Sequence, residues 1–167
     1  LSRSEFVVVR YVAVALIEFG RGVPALVALY LVYFGLPEAG LTLGTFVCAT
    51  ISLSLNYAAY TSEVFRSALD SVPQGQWEAS AAVGLTDAVA FRKVILPQAT
   101  RVATPPLISW VISFFQATSL AFVIAVPELM SRSYELASTN FRYMEVFILA
   151  GLMYAVVGIP GSRLVAV

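Results

Sequence analysis

The 167 residues include no histidine, one cysteine and one lysine. With Cys48 alone inside an apolar run, the chain can form neither an intramolecular disulfide nor a Cys/His zinc site, and it has no histidine general base. A Walker-type nucleotide site needs a glycine loop closed by Gly-Lys-Ser/Thr, so that backbone N–H groups and the lysine meet the phosphates. The only lysine, Lys93, stands between Arg92 and Val94, so this chain has no such loop. Charge of either sign is also scarce, at 12% of residues against about 25% in soluble domains.

What is abundant is apolar: 59% of the residues are hydrophobic and the mean hydropathy is +0.85. No charged residue occurs at 22–37, 39–62, 102–127 or 146–162. A bilayer core about 30 Å thick takes roughly 20 such residues as a helix. Four membrane spans are therefore expected, at about 17–36, 43–64, 103–126 and 144–162. The two shorter intervals gain length if Arg21, Glu145 and Arg163 reach toward the interface. Between the spans lie a turn at Leu36–Gly40, a polar insert at 66–101 and a mixed loop at 127–143. The Gly20–Pro24 stretch "GRGVP" is a helix-start signal, and Pro105 and Pro106 suit the first turn of the third span.

Basic loops stay in the cytoplasm. Arg3, Arg10, Arg21, Arg66, Arg92, Lys93, Arg101 and Arg163 fall on one side of this topology, and only Arg132 and Arg142 on the other. The insert is thus expected inside the cell. Within it, a helix from about Gln76 to Val83 should stop at Gly84, a residue suited to the left-handed conformation. A second helix should start at Thr86 and end near Leu96, because Pro97 follows.

The insert "WEASAAVGLTDAVAFRKVILP" carries Glu78, Ala79, Ser80, Gly84, Val94, Leu96 and Pro97, with nine residues between Gly84 and Val94. This spacing resembles the cytoplasmic loop motif of ATP-binding-cassette importer permeases, Glu-Ala-Ala, three residues, Gly, nine residues, Ile-x-Leu-Pro; Ser80 and Val94 are mild departures from it. The phrases "EFGRGVPALVALYLVYFGLP", "NYAAYTSEVFRSAL", "LPQATRVATPPL" and "TSLAFVIAVPEL" resemble the polar amino-acid branch of that family. The likeness runs from about Tyr11 to the end.

The resemblance implies an all-α, polytopic transmembrane bundle of the type I importer class, a single permease domain over 1–167 truncated at both ends and lacking the family's first span. It implies a multi-pass subunit of the bacterial cytoplasmic (inner) membrane that moves a polar amino acid or related small solute by alternating access. Its partners would be ABC ATPase subunits, which use the ATP and magnesium, an extracytoplasmic solute-binding protein, a second permease copy or homologue, and the lipid bilayer. No metal, cofactor, nucleic acid or catalytic residue is implied for the chain itself. Glu78, Ala79, Ser80, Gly84, Leu96 and Pro97 would form the ATPase-coupling element. A passive channel or structural bundle would need no docking loop, and a membrane enzyme is disfavoured without paired intramembrane carboxylates or a nucleophile beside a base.

Polar residues inside the spans are candidates for solute contact. Ser52, Asn56, Tyr60 and Glu63 are spaced four, four and three and share one helix face. Ser109, Ser113 and Gln116 repeat the pattern, followed by Thr118 and Ser119. Helix-to-helix hydrogen bonding is the competing role, and it is the preferred one for the serines. Asn56, Tyr60, Gln116, Thr118 and Ser119 are taken as the substrate-binding set. In "QATSL", Ala117 stands where the family has a polar residue, which speaks against a simple cationic amino acid as cargo. Glu63 either pairs with Arg66 three residues on or meets solute.

Overall fold

A computed structural model of the chain describes residues 7–163, so Arg3 in the charge count lies outside the described residues. Those residues contain helices and no strand. Two helical segments are long and apolar enough to cross a membrane, Asp87–Ile124 and Tyr143–Gly161. A third candidate is a bent pair, α1 (Val7–Gly22) and α2 (Ala25–Glu38), whose axes differ by 108°. The single first span expected at 17–36 is therefore two helices. Pro24 has no N–H for the carbonyl of Gly20, and the chain turns there.

The helix α3 (Thr45–Asp70) has 26 residues and runs past the expected end of the second span. Its polar stripe keeps it below the hydropathy of a self-sufficient span. It is the centre of the bundle: α1, α2 and α6 (Leu96–Ala117) all pack on it. Lipid tails are as apolar as leucine, so helices in a bilayer associate through close packing of small residues. Cys48, Ala49, Leu53, Ala121 and Ile124 fill one buried cluster with Leu29 and Val126, and Ala68, Ala99 and Ala103 fill a second with Val72 and Ile95. At Gly20 the α1 and α3 backbones come so close that a Cβ would stand 2.8 Å from Cβ of Ala59.

Pro97 does not end the second helix of the insert, contrary to the expectation. The short helix α5 (Asp87–Ala90) continues through a π-turn, Phe91–Ile95, into α6. A proline ring inside an α-helix collides with the carbonyl four residues earlier and offers it no hydrogen bond. A π-turn widens the ladder just before that position and lets the helix pass. Pro105 and Pro106 likewise lie inside α6 rather than in its first turn. Thr104 Oγ1 donates to the Thr100 carbonyl at 2.7 Å on this stretch, whereas the carbonyls that lose their donors to the two prolines are those of Arg101 and Val102. The third span closes as a 3₁₀ segment, Thr118–Ile124, and the chain reverses at Ala125, φ 59°.

The stretch 127–143, expected as a loop, contains α7 (Leu129–Asn140). Glu128 caps it, its carboxylate accepting from the Met130 and Ser131 N–H groups at 2.7 and 2.6 Å. The last helix, α8 (Tyr143–Arg163), matches the expected fourth span and packs on α6 and α7.

Candidate functional site

Two regions carry the candidate residues. The first is the insert, where α4 (Gln74–Ala82) ends at Gly84 with φ +76°. The Leu85 N–H reaches the Ser80 carbonyl at 3.1 Å and the Gly84 N–H reaches that of Ala81 at 2.9 Å, a Schellman closure that needs the left-handed residue. Thr86 stands at the N-cap position of α5 in extended conformation, without a side-chain capping bond.

The insert is fastened to the bundle from beneath. Trp77 packs on the cluster of Ala68, Val72, Ile95 and Ala99 and lies 6.5 Å from the Phe91 ring. Ser80 is buried and its Oγ donates to the Gln76 carbonyl at 2.7 Å. Gln98 Nε2 donates to Gln76 Oε1 at 3.2 Å, tying α6 to α4. The outer side is open: Glu78, Ala79 and Gly84 are exposed, as are Leu96 and Pro97 beyond the π-turn. Val83 is 74% exposed at the apex. Of the six expected coupling residues, Ser80 alone points inward. Val83 and Phe91 belong to the open surface and escape sequence reasoning, although apolar residues flanking a helix-ending glycine in a polar insert are a usable signal.

The second region is the polar interior, which divides into two groups. Gly20, Arg21 and Val23 sit at the break between α1 and α2, where their carbonyls lose helical donors. Asn56 Nδ2 donates to the Gly20 and Val23 carbonyls at 2.7 and 3.0 Å. Tyr60 Oη donates to the Arg21 carbonyl at 3.0 Å. Asn56 is 5% exposed, so in place of the missing Pro24 N–H it supplies donors that water does not.

The other group lies at the end of α6, facing α8. Gln116 is exposed and its Nε2 lies 3.5 Å from where a Cβ on Gly158 would stand. Thr118 Oγ1 donates to the Phe115 carbonyl at 2.6 Å and Ser119 Oγ to that of Gln116 at 2.7 Å. Nearby, Tyr154 Oη donates to Glu128 Oε2 at 3.0 Å. Between the groups runs a seam in which Tyr57 Oη donates to the Ser113 carbonyl at 3.0 Å and the Tyr57 ring meets Trp110 and Phe114 edge-on. Glu63 pairs with Arg66, Nη2 to Oε2 at 2.6 Å and Nε to Oε1 at 3.2 Å. A cavity of about 420 Å³ opens beside Asn56 and Ser52 between α1, α2 and α3, with otherwise apolar walls.

Helices long and apolar enough to cross a membrane, with a fastened two-helix loop open on its outer side, define a membrane-integral helical protein. A family profile described as "Binding-protein-dependent transport system inner membrane component" matches residues 2–167. The chain is 42% identical over 151 residues to the probable amino-acid ABC transporter permease protein YckA of Bacillus subtilis, covering 90% of this chain and 67% of that protein. It is 44% identical over 141 residues to the probable amino-acid ABC transporter permease protein PatM of Vibrio harveyi, covering 83% of this chain and 63% of that one. A crystal structure of an amino acid ABC transporter with histidines superposes with a TM-score of 0.91 at 32% identity, over 98% of this chain and 76% of that one. An inward-facing methionine transporter MetNI matches with a TM-score of 0.68 at 20% identity, over 99% of this chain and 80% of that one, and shares the fold. The chain belongs to this family of inner-membrane transport components, and its fold is that of a type I ABC importer permease. It spans about two thirds of the length of YckA and PatM.

Proposed function

We propose that this chain translocates a polar amino acid or related small solute across the bacterial cytoplasmic membrane, driven by ATP hydrolysis in separate ATPase subunits that dock on α4 and Gly84. A solute-binding protein delivers the cargo from outside, and a second permease copy or homologue completes the pathway. Tyr60, Gln116, Thr118 and Ser119 contact the solute, and Asn56 holds the α1–α2 bend that frames them. The observation that carries the reading is the insert: a helix ended by a left-handed glycine, buried on one side against Trp77 and Ile95 and open on the other. A partner can move this chain only through contacts that differ between the partner's states, and the open side of α4 offers such contacts. The rocking of helix groups about a site inside the membrane is the motion suited to this architecture.

Gly84→Asp tests it. Among the described residues nothing lies within 4 Å of a Cβ at Gly84, so the side chain meets no obstacle there and points to where the ATPase would sit. The left-handed φ costs a non-glycine residue about 1 kcal/mol or more, which the helical bundle tolerates. In vesicles containing the complete transporter, Gly84→Asp should insert normally and lose both capture of the ATPase subunit and solute uptake. Full uptake with tight ATPase binding would remove the coupling role.

A further inference from the structure

A second cavity, of about 520 Å³, lies between the end of α1 and the loop-bearing halves of α3 and α6, and its walls include Arg21, Tyr60, Glu63, Ser67, Ser71 and Trp110. Opposite charges meet across it: Arg21 Nη1 is 3.9 Å from Glu63 Oε2, the outer limit of an ion pair. Each has a firmer partner on its own helix, Glu18 at 3.2 Å for Arg21 and Arg66 at 2.6 Å for Glu63. The two groups are thus held in place while the gap between them stays loosely bridged. Both contacts of Arg21 use the same nitrogen, Nη1, of a planar fork with five N–H donors.

Tyr60 and Trp110 stack at 4.5 Å with planes 23° apart and form an aromatic wall. The Tyr60 hydroxyl is bonded to the main-chain carbonyl of Arg21 at 3.0 Å, so the aromatic wall is tied to the stretch of backbone from which the guanidinium extends. A ligand with a carboxylate and an ammonium on one carbon meets complementary partners here. The arginine fork takes the carboxylate, the glutamate takes the ammonium, and the side chain lies along the aromatic rings. The volume is within the range of small-molecule sites.

We propose that this cavity is a binding station for a zwitterionic α-amino acid at the loop end of the bundle, separate from the Gln116, Thr118 and Ser119 group. It rests on the transport reading above, which makes this end the cytoplasmic one. The station touches the coupling machinery directly, because Ala68, another of its lining residues, packs with Val72 and Ile95 beneath the docking loop.

The test uses Ser67→Cys in a Cys48→Ala background, as the complete permease–ATPase complex in nanodiscs with both faces accessible. The labelling rate of residue 67 by a polar thiol reagent is measured against a panel of neutral L-amino acids, including glutamine and leucine, and against their N-acetyl and carboxamide derivatives. Zwitterionic members should slow labelling and both blocked forms should not. Arg21→Gln and Glu63→Gln should each raise the half-protecting concentration about tenfold or more, the usual effect of losing one charge-assisted contact. Absence of protection across the panel, equal protection by the blocked forms, or an unchanged half-protecting concentration in either variant would overturn the proposal. The comparison of free and blocked ligands needs no charge-removing variant, so it stands even if those variants misfold. Uptake by the complex with native Ser67 and Cys48 is followed in vesicles in parallel. Absence of uptake there counts against the transport reading, whereas uptake without protection of residue 67 counts against this station alone.

Discussion

Asn56 shows how one residue can be legible in type while its fold offers a second role. An amide on a polar stripe inside an apolar helix invites a solute, yet its Nδ2 donates to two carbonyls at the Gly20–Pro24 break. Asn56→Ala should leave both part-buried carbonyls without this donor, at a cost of about 1–3 kcal/mol. The expected result is a lower thermal midpoint of the purified complex and a reduced maximal uptake rate, with KM for the solute unchanged. A raised KM at unchanged stability would make Asn56 a solute contact and return it to the role its stripe suggests. Gln116, whose amide among the described residues has no main-chain partner such as Asn56 has, should behave in the opposite way: Gln116→Ala should raise KM for uptake and leave the thermal midpoint in place.

At the scale of elements, the prolines decide where sequence reading succeeds. Gly84 is legible because a glycine after a short helix has one common use, and the observed φ agrees. Pro24 is half legible: it marks the start of α2, while the 108° turn depends on α3 donors that no local pattern contains. Pro97 is misread, because the rule that proline ends a helix assumes a ladder with no slack, and the π-turn at Phe91–Ile95 supplies the slack. The helix α7 hides behind its polar composition, and its cap, Glu128, is a less usual capping residue than Asp or Ser. The alanine-rich helix contacts are silent in sequence, since alanine marks neither face of a helix. Pro97→Ala restores an N–H for the Lys93 carbonyl and removes the reason for the wider turn. The segment can then relax to regular α-helix, which turns α5 and the Gly84 elbow relative to α6. The complex should be as stable as the parent or more so, while ATP hydrolysis loses its stimulation by the loaded solute-binding protein. Unchanged stimulation would show that the π-turn only accommodates proline and sets no coupling geometry.

For the whole molecule, direction in the membrane follows from where positive charge gathers. Arg66, Arg92, Lys93 and Arg101 lie at the end of the bundle that carries α4 and α5, with Arg21 beside Glu63 at the end of α1, and α8 runs back in that direction to Arg163. The opposite end carries the tight turn at Gly40, φ +81°, and the α7 segment, where Arg132 and Arg142 are each paired locally with Glu135 and Glu145 at 2.8 and 3.1 Å. Arg21 and Arg66 are paired in the same local way at the loop end, and acidic partners weigh little in this bias, so the asymmetry rests on the number of Lys and Arg residues at each end. Because basic segments resist translocation, α4 should face the cytoplasm and Gly40 the outside. Gln74→Cys, at the exposed start of α4, and Glu38→Cys, at the exposed end of α2, each in a Cys48→Ala background, report the two faces. An impermeant thiol reagent added to intact cells should label residue 38 and spare residue 74, and permeabilisation should expose residue 74. The reverse pattern would put the docking loop outside, away from any ATP-hydrolysing partner, and energy coupling through Gly84 would then be impossible.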